Sequence, residues 1–204
     1  MHPFARLMDS DQMADLFVRE INEGMGDTLI KAGLIKCATG EGRISPKEEQ
    51  VLRAAARAHQ RTGCPILTHT TNGLGSEQLD IFESEGVSPE EVILSHIGCE
   101  RNPIEGSERV LRRGANVSFD RIGMVKAFYQ DEHWLDVVGN AIKKGYINQI
   151  MLSHDAAVFA DAGIPAAMIF VRNQNGSHNP DEAMNMDDFE LAVRVMAYGV
   201  ADLN

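Results

Sequence analysis

Short apolar runs alternate with amphipathic segments along the chain. The apolar runs are residues 33–39, 65–70, 92–96, 115–120, 149–153 and 166–171. The segments between them repeat apolar residues at helical spacing, and several end at a glycine. Short strands separated by helices are typical of a parallel sheet with right-handed crossovers. The pattern therefore predicts an α/β fold with about six parallel strands alternating with helices.

The clearest helix start in the chain lies at Ser45. A serine at this position can cap the helix, Pro46 suits its first turn, and Glu48 occupies the reciprocal position of a capping box. Gly63 is the expected end of the same helix. This segment fixes the boundary between the first two predicted strands.

Composition narrows the class of protein. The chain has 204 residues and a net charge of −11, so it lacks the basic surface of a nucleic-acid-binding protein. No apolar run is long enough to span a membrane, and the first residues do not resemble a secretory signal. Three widely spaced cysteines argue against a disulfide framework. We expect a cytoplasmic protein that acts on a small molecule.

Length also limits the architecture. A complete eight-stranded barrel typically needs ~250 residues, and no linker-like segment divides this chain. We therefore expect one α/β domain over residues 1–204, built as a partial (β/α)8-type barrel with about six strands. Open sheet edges favour association, so a homodimer or a higher homo-oligomer is expected to complete the barrel.

Four predicted strands end in residues that could serve a metal site: Lys36, His69, His96 and Asp155. The carboxyl ends of parallel strands share one edge of the sheet, which is where active sites form. A single histidine of this kind is more often a hydrogen-bonded core residue, but four strand ends together favour a site. Histidine and aspartate suit zinc. A buried lysine with a lowered pKa could react with carbon dioxide to give an anionic carbamate.

The amino-acid sequences of five segments indicate a relationship to a known family. Within residues 12–155 these are VREINEGMGDTLIKAGLIKCATG, VLRAAARAHQRTGCPILTHT, EQLDIFESEGVSPEEVILSHIGCERNP, RRGANVSFDRIG and GYINQIMLSHD. In wording and order they resemble the phosphotriesterase family of the amidohydrolase superfamily. The resemblance implies a (β/α)8 barrel with a binuclear metal site.

The same resemblance implies roles for individual residues. Lys36 matches the family's carboxylated lysine, which bridges two metals. His69 and His96 match the histidines of the fifth and sixth strands, and Asp155 matches the aspartate of the eighth. Arg121 matches an arginine near the substrate in lactonase-like members. The family's first-strand His-x-His pair has no counterpart here, because His2 is the only histidine before the first matched strand.

The C-terminal part, residues 153–204, is similar to a different group, the metal-dependent N-carbamoyl-amino-acid and allantoate amidohydrolases. That similarity makes His178 a candidate metal ligand, although a loop histidine that caps a helix explains it equally well. His154, Cys99 or His178 could replace the missing histidine pair. The two resemblances together predict a truncated, chimeric member, in which residues 156–204 form an αβα extension on the same sheet.

We therefore expect a metal-dependent hydrolase with one or two divalent ions, zinc first and manganese or cobalt as alternatives. Such an ion lowers the pKa of bound water toward ~7 and polarises a phosphoryl or carbonyl oxygen. Asp155 would accept the proton, and Arg121 would bind substrate. Phosphotriesters, lactones or esters are the expected substrates. The alternatives are an N-carbamoyl or amide hydrolase and a non-catalytic barrel fragment.

Overall fold

The computed structural model of the protein describes residues 8–27, 29–71, 73–122, 131–152, 173–174 and 183–184. The chain divides into two compact units, residues 1–154 and 155–204. The predicted strand 166–171 lies outside the described residues. The predicted packing of residues 156–204 on the same sheet stays a prediction.

The first unit contains a parallel sheet of five strands in sequential order. The strands are β1 (Ile35–Ala38), β2 (Ile66–His69), β3 (Val92–Ser95), β4 (Asn116–Phe119) and β5 (Ile150–Leu152). All four neighbouring pairs are parallel. The register places Ala38 beside His69, and His69 beside Ser95. The predicted α/β class and parallel sheet are confirmed for these five strands.

One helix, α1 (Ser10–Asn22), precedes the first strand. The helices that connect successive strands are α2 (Pro46–Thr62), α3 (Gly75–Ser84), α4 (Pro103–Leu111) and α5 (Asp131–Lys143). Short 3₁₀ turns lie at Pro89–Glu91 and Ile147–Gln149. In the described part of the chain, every helix is too short or too polar to cross a lipid bilayer. The second unit contains an antiparallel pair, β6 (Asn173–Gln174) and β7 (Ala183–Met184).

The predicted capping box at the start of α2 is present. The Ser45 hydroxyl accepts the Glu48 N–H, and Glu48 Oε2 accepts the Ser45 N–H at 2.7 Å. Glu48 Oε1 also accepts the Gly40 N–H at 2.6 Å, which ties the loop after β1 to the helix. Gly63 ends the helix in the left-handed conformation, with φ 68°, which glycine adopts without steric cost.

The core lies between the sheet and its helices. Its largest fully buried side chains include Phe82, Phe119, Met13, Leu52, Ile66, Leu79 and Leu94. Burial alternates along the strands: Ile35 and Cys37 of β1 are buried, whereas Lys36 between them is exposed. Right-handed crossovers in sequential order place the helices on one face of the sheet. The opposite face, which bears Lys36 and His69, is therefore the less covered one.

Replacing Ser45 tests the α2 cap. Ser45→Ala should lower the free energy of unfolding by about 1 kcal/mol, because the Glu48 N–H loses its acceptor. The matched control is Ser88→Ala, since Ser88 precedes the Pro89–Glu91 turn without a side-chain cap hydrogen bond. The control should lose less than about 0.5 kcal/mol. Equal losses in urea unfolding of the two variants would show that the capping box contributes nothing measurable.

Candidate active site

His96 is fixed by a carboxylate on the neighbouring strand. Asp120 follows β4 directly, and its Oδ1 lies 2.7 Å from His96 Nδ1. Both Asp120 oxygens accept the His96 N–H at 3.2 Å, and both residues are buried. An ionised Asp120 can only accept, so Nδ1 carries a proton, and Nε2 is the ring nitrogen left for another partner. This is the arrangement that orients a metal-binding histidine.

The backbone of His96 has an unusual conformation. Its φ is 65°, in the left-handed region that residues other than glycine seldom adopt. The two hydrogen bonds from its N–H to Asp120 hold the turn after β3 in this state. Backbone strain of this kind occurs often at functional sites.

The ring of His69 lies beside that of His96, with 4.1 Å between the ring centroids and 68° between the ring planes. Burial lowers the pKa of His69 to about 4. Repulsion from nearby positive groups adds to the effect, in the order His96, Arg121 and Lys36, while Asp120 acts in the opposite direction. His69 is therefore neutral at neutral pH, which is the protonation state that a metal ligand requires.

Lys36 and Arg121 lie close enough to His69 for the positive charge of each to lower the pKa of its ring. The premise of a buried Lys36 was wrong, since its side chain is exposed on the face of β1 opposite the helices. Arg121 is half-buried and hydrogen-bonds the Cys99 thiol.

Cys99 is a weak candidate ligand. Burial raises the pKa of its thiol, and the hydrogen bond and charge of Arg121 only partly oppose this effect. The thiolate is the form that binds metals, so the raised pKa disfavours Cys99 as a replacement for the missing histidines. Its contact with Arg121 instead helps to hold the guanidinium at the edge of the sheet.

The fold thus brings four of the predicted residues to one edge: Lys36, His69, His96 and Arg121. Asp155, His154 and His178 lie outside the described residues. Within the described ranges, no group of three His, Cys, Asp or Glu side chains is placed to hold a metal ion. The two adjacent imidazoles nevertheless fit a divalent ion in donor chemistry, because one is neutral and the other has a fixed tautomer.

Sequence reasoning gave no role to Asp120 or Gln78, which both contact the site. Asp120 could have been found from its place directly after a strand, like the other candidates. Gln78 donates from Nε2 to Thr39 Oγ1 and to the His69 carbonyl. Its signal was a polar residue within a helical stripe that otherwise consists of Gly75, Leu79 and Phe82, all of them buried.

Comparison with known proteins settles the family. The model of the phosphotriesterase family matches residues 2–180. The chain belongs to the phosphotriesterase family. This result confirms the relationship predicted from residues 12–155. The match continues through residues 156–180, so the predicted change to another hydrolase group near residue 155 is not supported.

Individual relatives agree with this assignment. The chain is 40% identical to a phosphotriesterase homology protein of Mycobacterium tuberculosis, over 85% of this chain and 53% of the relative. It is 37% identical to an aryldialkylphosphatase of Saccharolobus solfataricus, over 75% and 49%. The crystal structure of a lactonase from Listeria monocytogenes aligns with a TM-score of 0.71 and 30% identity, over 76% of this chain and 46% of that one. The chain therefore spans about half the length of these relatives.

The lowered pKa of His69 predicts how stability depends on pH. In the folded protein His69 stays neutral down to about pH 4, whereas in the unfolded chain it takes up a proton near its ordinary pKa of 6.5. The unfolded state therefore binds more protons between these values, so stability falls as the pH falls from 6.5 to 4.

The measurement is the urea midpoint of metal-free protein at several pH values, compared with His69→Gln. Glutamine cannot take up a proton in this range, so the variant should lose less stability between pH 6.5 and 4. The difference between the two curves isolates His69 from the other groups that titrate. Parallel curves would contradict the assigned pKa.

Proposed function

We propose that this protein is a metal-dependent hydrolase of the phosphotriesterase-like or lactonase-like type. The observation that carries the proposal is the adjacent pair of His69 and His96, with Asp120 fixing the second ring. In support, the family includes relatives named as an aryldialkylphosphatase and as a lactonase. A phosphotriester and a lactone share one demand on the enzyme, which is the stabilisation of negative charge on an oxygen that becomes more basic.

We propose that one or two divalent ions bind at this edge, zinc first and manganese or cobalt as alternatives. His69 and His96 would supply nitrogen ligands, and Asp155 and His178 are proposed as further ligands. When bound, such an ion polarises the phosphoryl or carbonyl oxygen and lowers the pKa of water. The assignment of Asp155 and His178 rests on the sequence alone.

Lys36 is proposed to contribute as a carbamate. Its ammonium would first lose one proton. The uncharged Nζ would then attack carbon dioxide, forming one N–C bond as one C=O π bond breaks and releasing a second proton, so that a cation is replaced by an anion with two oxygens. The exposed position of Lys36 gives carbon dioxide access to Nζ. The change of charge would also remove one of the repulsions that act on His69.

Arg121 and Asp155 are proposed to act on the substrate and on water. Arg121, held by its hydrogen bond to Cys99, would bind the phosphoryl or carbonyl oxygen as negative charge develops there. Asp155 would accept the proton of the attacking water. The guanidinium suits the first role, because its planar fork of N–H donors matches the geometry of phosphoryl and carboxylate-like oxygens.

The N-carbamoyl or amide hydrolase predicted from residues 153–204 loses its support, because the phosphotriesterase family model matches the chain through residue 180. A non-catalytic barrel fragment is the alternative. The cytoplasmic location stays a prediction. The hydrolase and the fragment differ in metal content and in turnover, so one experiment separates them.

The experiment measures metal per purified chain and the hydrolysis of a chromogenic phosphotriester, a lactone and an N-carbamoyl amino acid. Lys36→Met should lower metal affinity by about 10-fold to 100-fold, and activity of the parent should rise with added bicarbonate. The control is Lys143→Met, an exposed lysine of α5, which should match the parent. Absence of bound metal, with no hydrolysis after adding zinc or manganese, would contradict the proposal. Metal content unchanged in Lys36→Met would exclude the carbamate.

We also propose that a second copy of the chain covers the open side of the sheet. Among the described strands, β1 and β5 each have only one neighbour, and such edges invite pairing. Large apolar side chains are exposed on β5 and on the helix and turn that precede it: Leu135, Ile142, Ile147 and Leu152. Exposed apolar surface often marks an interface.

The oligomer is tested by light scattering with size-exclusion chromatography. The parent should have the mass of a dimer or a larger homo-oligomer, and Leu135→Lys with Leu152→Lys should shift it toward the monomer, because two charges would be buried in the contact. Leu29→Lys is the control, since Leu29 is even more exposed than Leu135 and Leu152 but precedes β1. A monomeric parent at micromolar concentration would contradict the proposal.

A further inference from the structure

A buried amide links the ends of β1 and β2. Gln78 lies in the first turn of α3 and is fully buried. Its Nε2 donates to Thr39 Oγ1 at 2.6 Å and to the His69 carbonyl at 2.9 Å. Because a carbonyl can only accept, the NH₂ side of the amide must face His69. Gln78 therefore contacts the backbone of His69, which is a candidate ligand. It also contacts Thr39, which follows the strand that bears Lys36, a second candidate.

The His69 carbonyl receives a second hydrogen bond, from the Thr39 N–H at 3.1 Å. Two donors thus use both lone pairs of this oxygen, and the peptide plane after His69 cannot rotate without breaking them. Thr71 adds a third link, since its hydroxyl donates to the Thr39 carbonyl at 3.0 Å. The two strand ends are held together by more than the strand ladder itself.

Gln78 is an unfavourable choice if stability alone is at stake. In the part of the chain that the structure describes, its Oε1 is buried and has no hydrogen-bond partner, which is a costly state for an amide oxygen. An apolar side chain of the same length would fill the stripe of α3 without this cost. The buried amide therefore lowers stability through its unpaired oxygen while its NH₂ group holds the ends of β1 and β2 together, and the end of β2 bears the candidate ligand His69.

We propose that Gln78 is a positioning residue: it sets the spacing between the ends of β1 and β2, and with it the placement of Lys36 and His69 for metal binding. It touches neither metal nor substrate, and it acts through the His69 carbonyl and Thr39. The metal part of this inference rests on the proposed function. The positional part does not, because it concerns the backbone of the metal-free protein.

The chain offers a matched control in Gln149. This residue also donates from Nε2 to two acceptors, the carbonyls of Leu111 and Ala115, at 2.8 and 2.9 Å. These contacts lie at the amino end of the sheet, before β4 and β5. Gln78→Met and Gln149→Met each remove two hydrogen bonds of a side-chain amide. Only Gln78→Met should disturb the candidate site.

Two readouts test the proposal. Co²⁺ is titrated into metal-free protein and followed by its visible absorption, and Gln78→Met should weaken binding by about 10-fold to 100-fold while Gln149→Met stays within threefold of the parent. Ring ¹H–¹⁵N spectra of metal-free protein should show displaced His69 signals in Gln78→Met alone. Unchanged affinity and unchanged His69 signals in Gln78→Met would overturn the inference, as would equal changes in the two variants.

The remaining outcomes are also decisive. If the parent binds no Co²⁺, the proposed function fails, and the ring spectra alone decide the role of Gln78. If Gln78→Met does not fold by circular dichroism, Thr39→Val takes its place, since it removes one acceptor of Gln78 and keeps the Thr39 N–H. Thr39→Val should shift both readouts in the same direction and by less. His69 signals that stay in place in Thr39→Val would then reject the proposal.

Discussion

The site depends on the contact between Asp120 and His96. One buried carboxylate holds both the N–H and the ring of the histidine, and hydrogen bonds to a charged group contribute about 1.5–3 kcal/mol each. The left-handed backbone at His96 costs about 1–2 kcal/mol, which these bonds can offset. Since Asp120 follows β4 and His96 follows β3, the contact also joins two strands at the edge where the candidate ligands lie.

Comparable polar contacts join the other strand ends. Thr70 donates from its N–H and its hydroxyl to the Ser95 carbonyl, at 3.2 and 2.8 Å, and Gln78 with Thr39 joins the ends of β1 and β2. The histidines are therefore positioned by the sheet and its immediate ties, and not by loops that move independently. Rigid support of this kind is what a binding site with fixed geometry requires.

The order of the strands and the start of α2 could be predicted from the sequence because local signals determine them: strand length, the Ser45 cap and the glycine at position 63. The candidate histidines could be placed for the same reason, since every strand of a parallel sheet ends at one edge. The exposure of Lys36 could not be predicted, because it depends on what covers the face of the sheet opposite Ile35 and Cys37. Gln78 also escaped prediction, since its partners are 39 and 9 residues away in sequence.

The electrostatics of the edge favour an anionic partner, although the chain as a whole is acidic. Lys36 and Arg121 both lower the pKa of His69, whereas Asp120 raises it. A divalent ion would meet two positive side chains, and such charges repel strongly where water is partly excluded. Its binding therefore calls for added negative charge. Carbamate formation on Lys36 would supply it by replacing one of the two cations with an anion, and Arg121 would then remain as the positive group that faces the substrate.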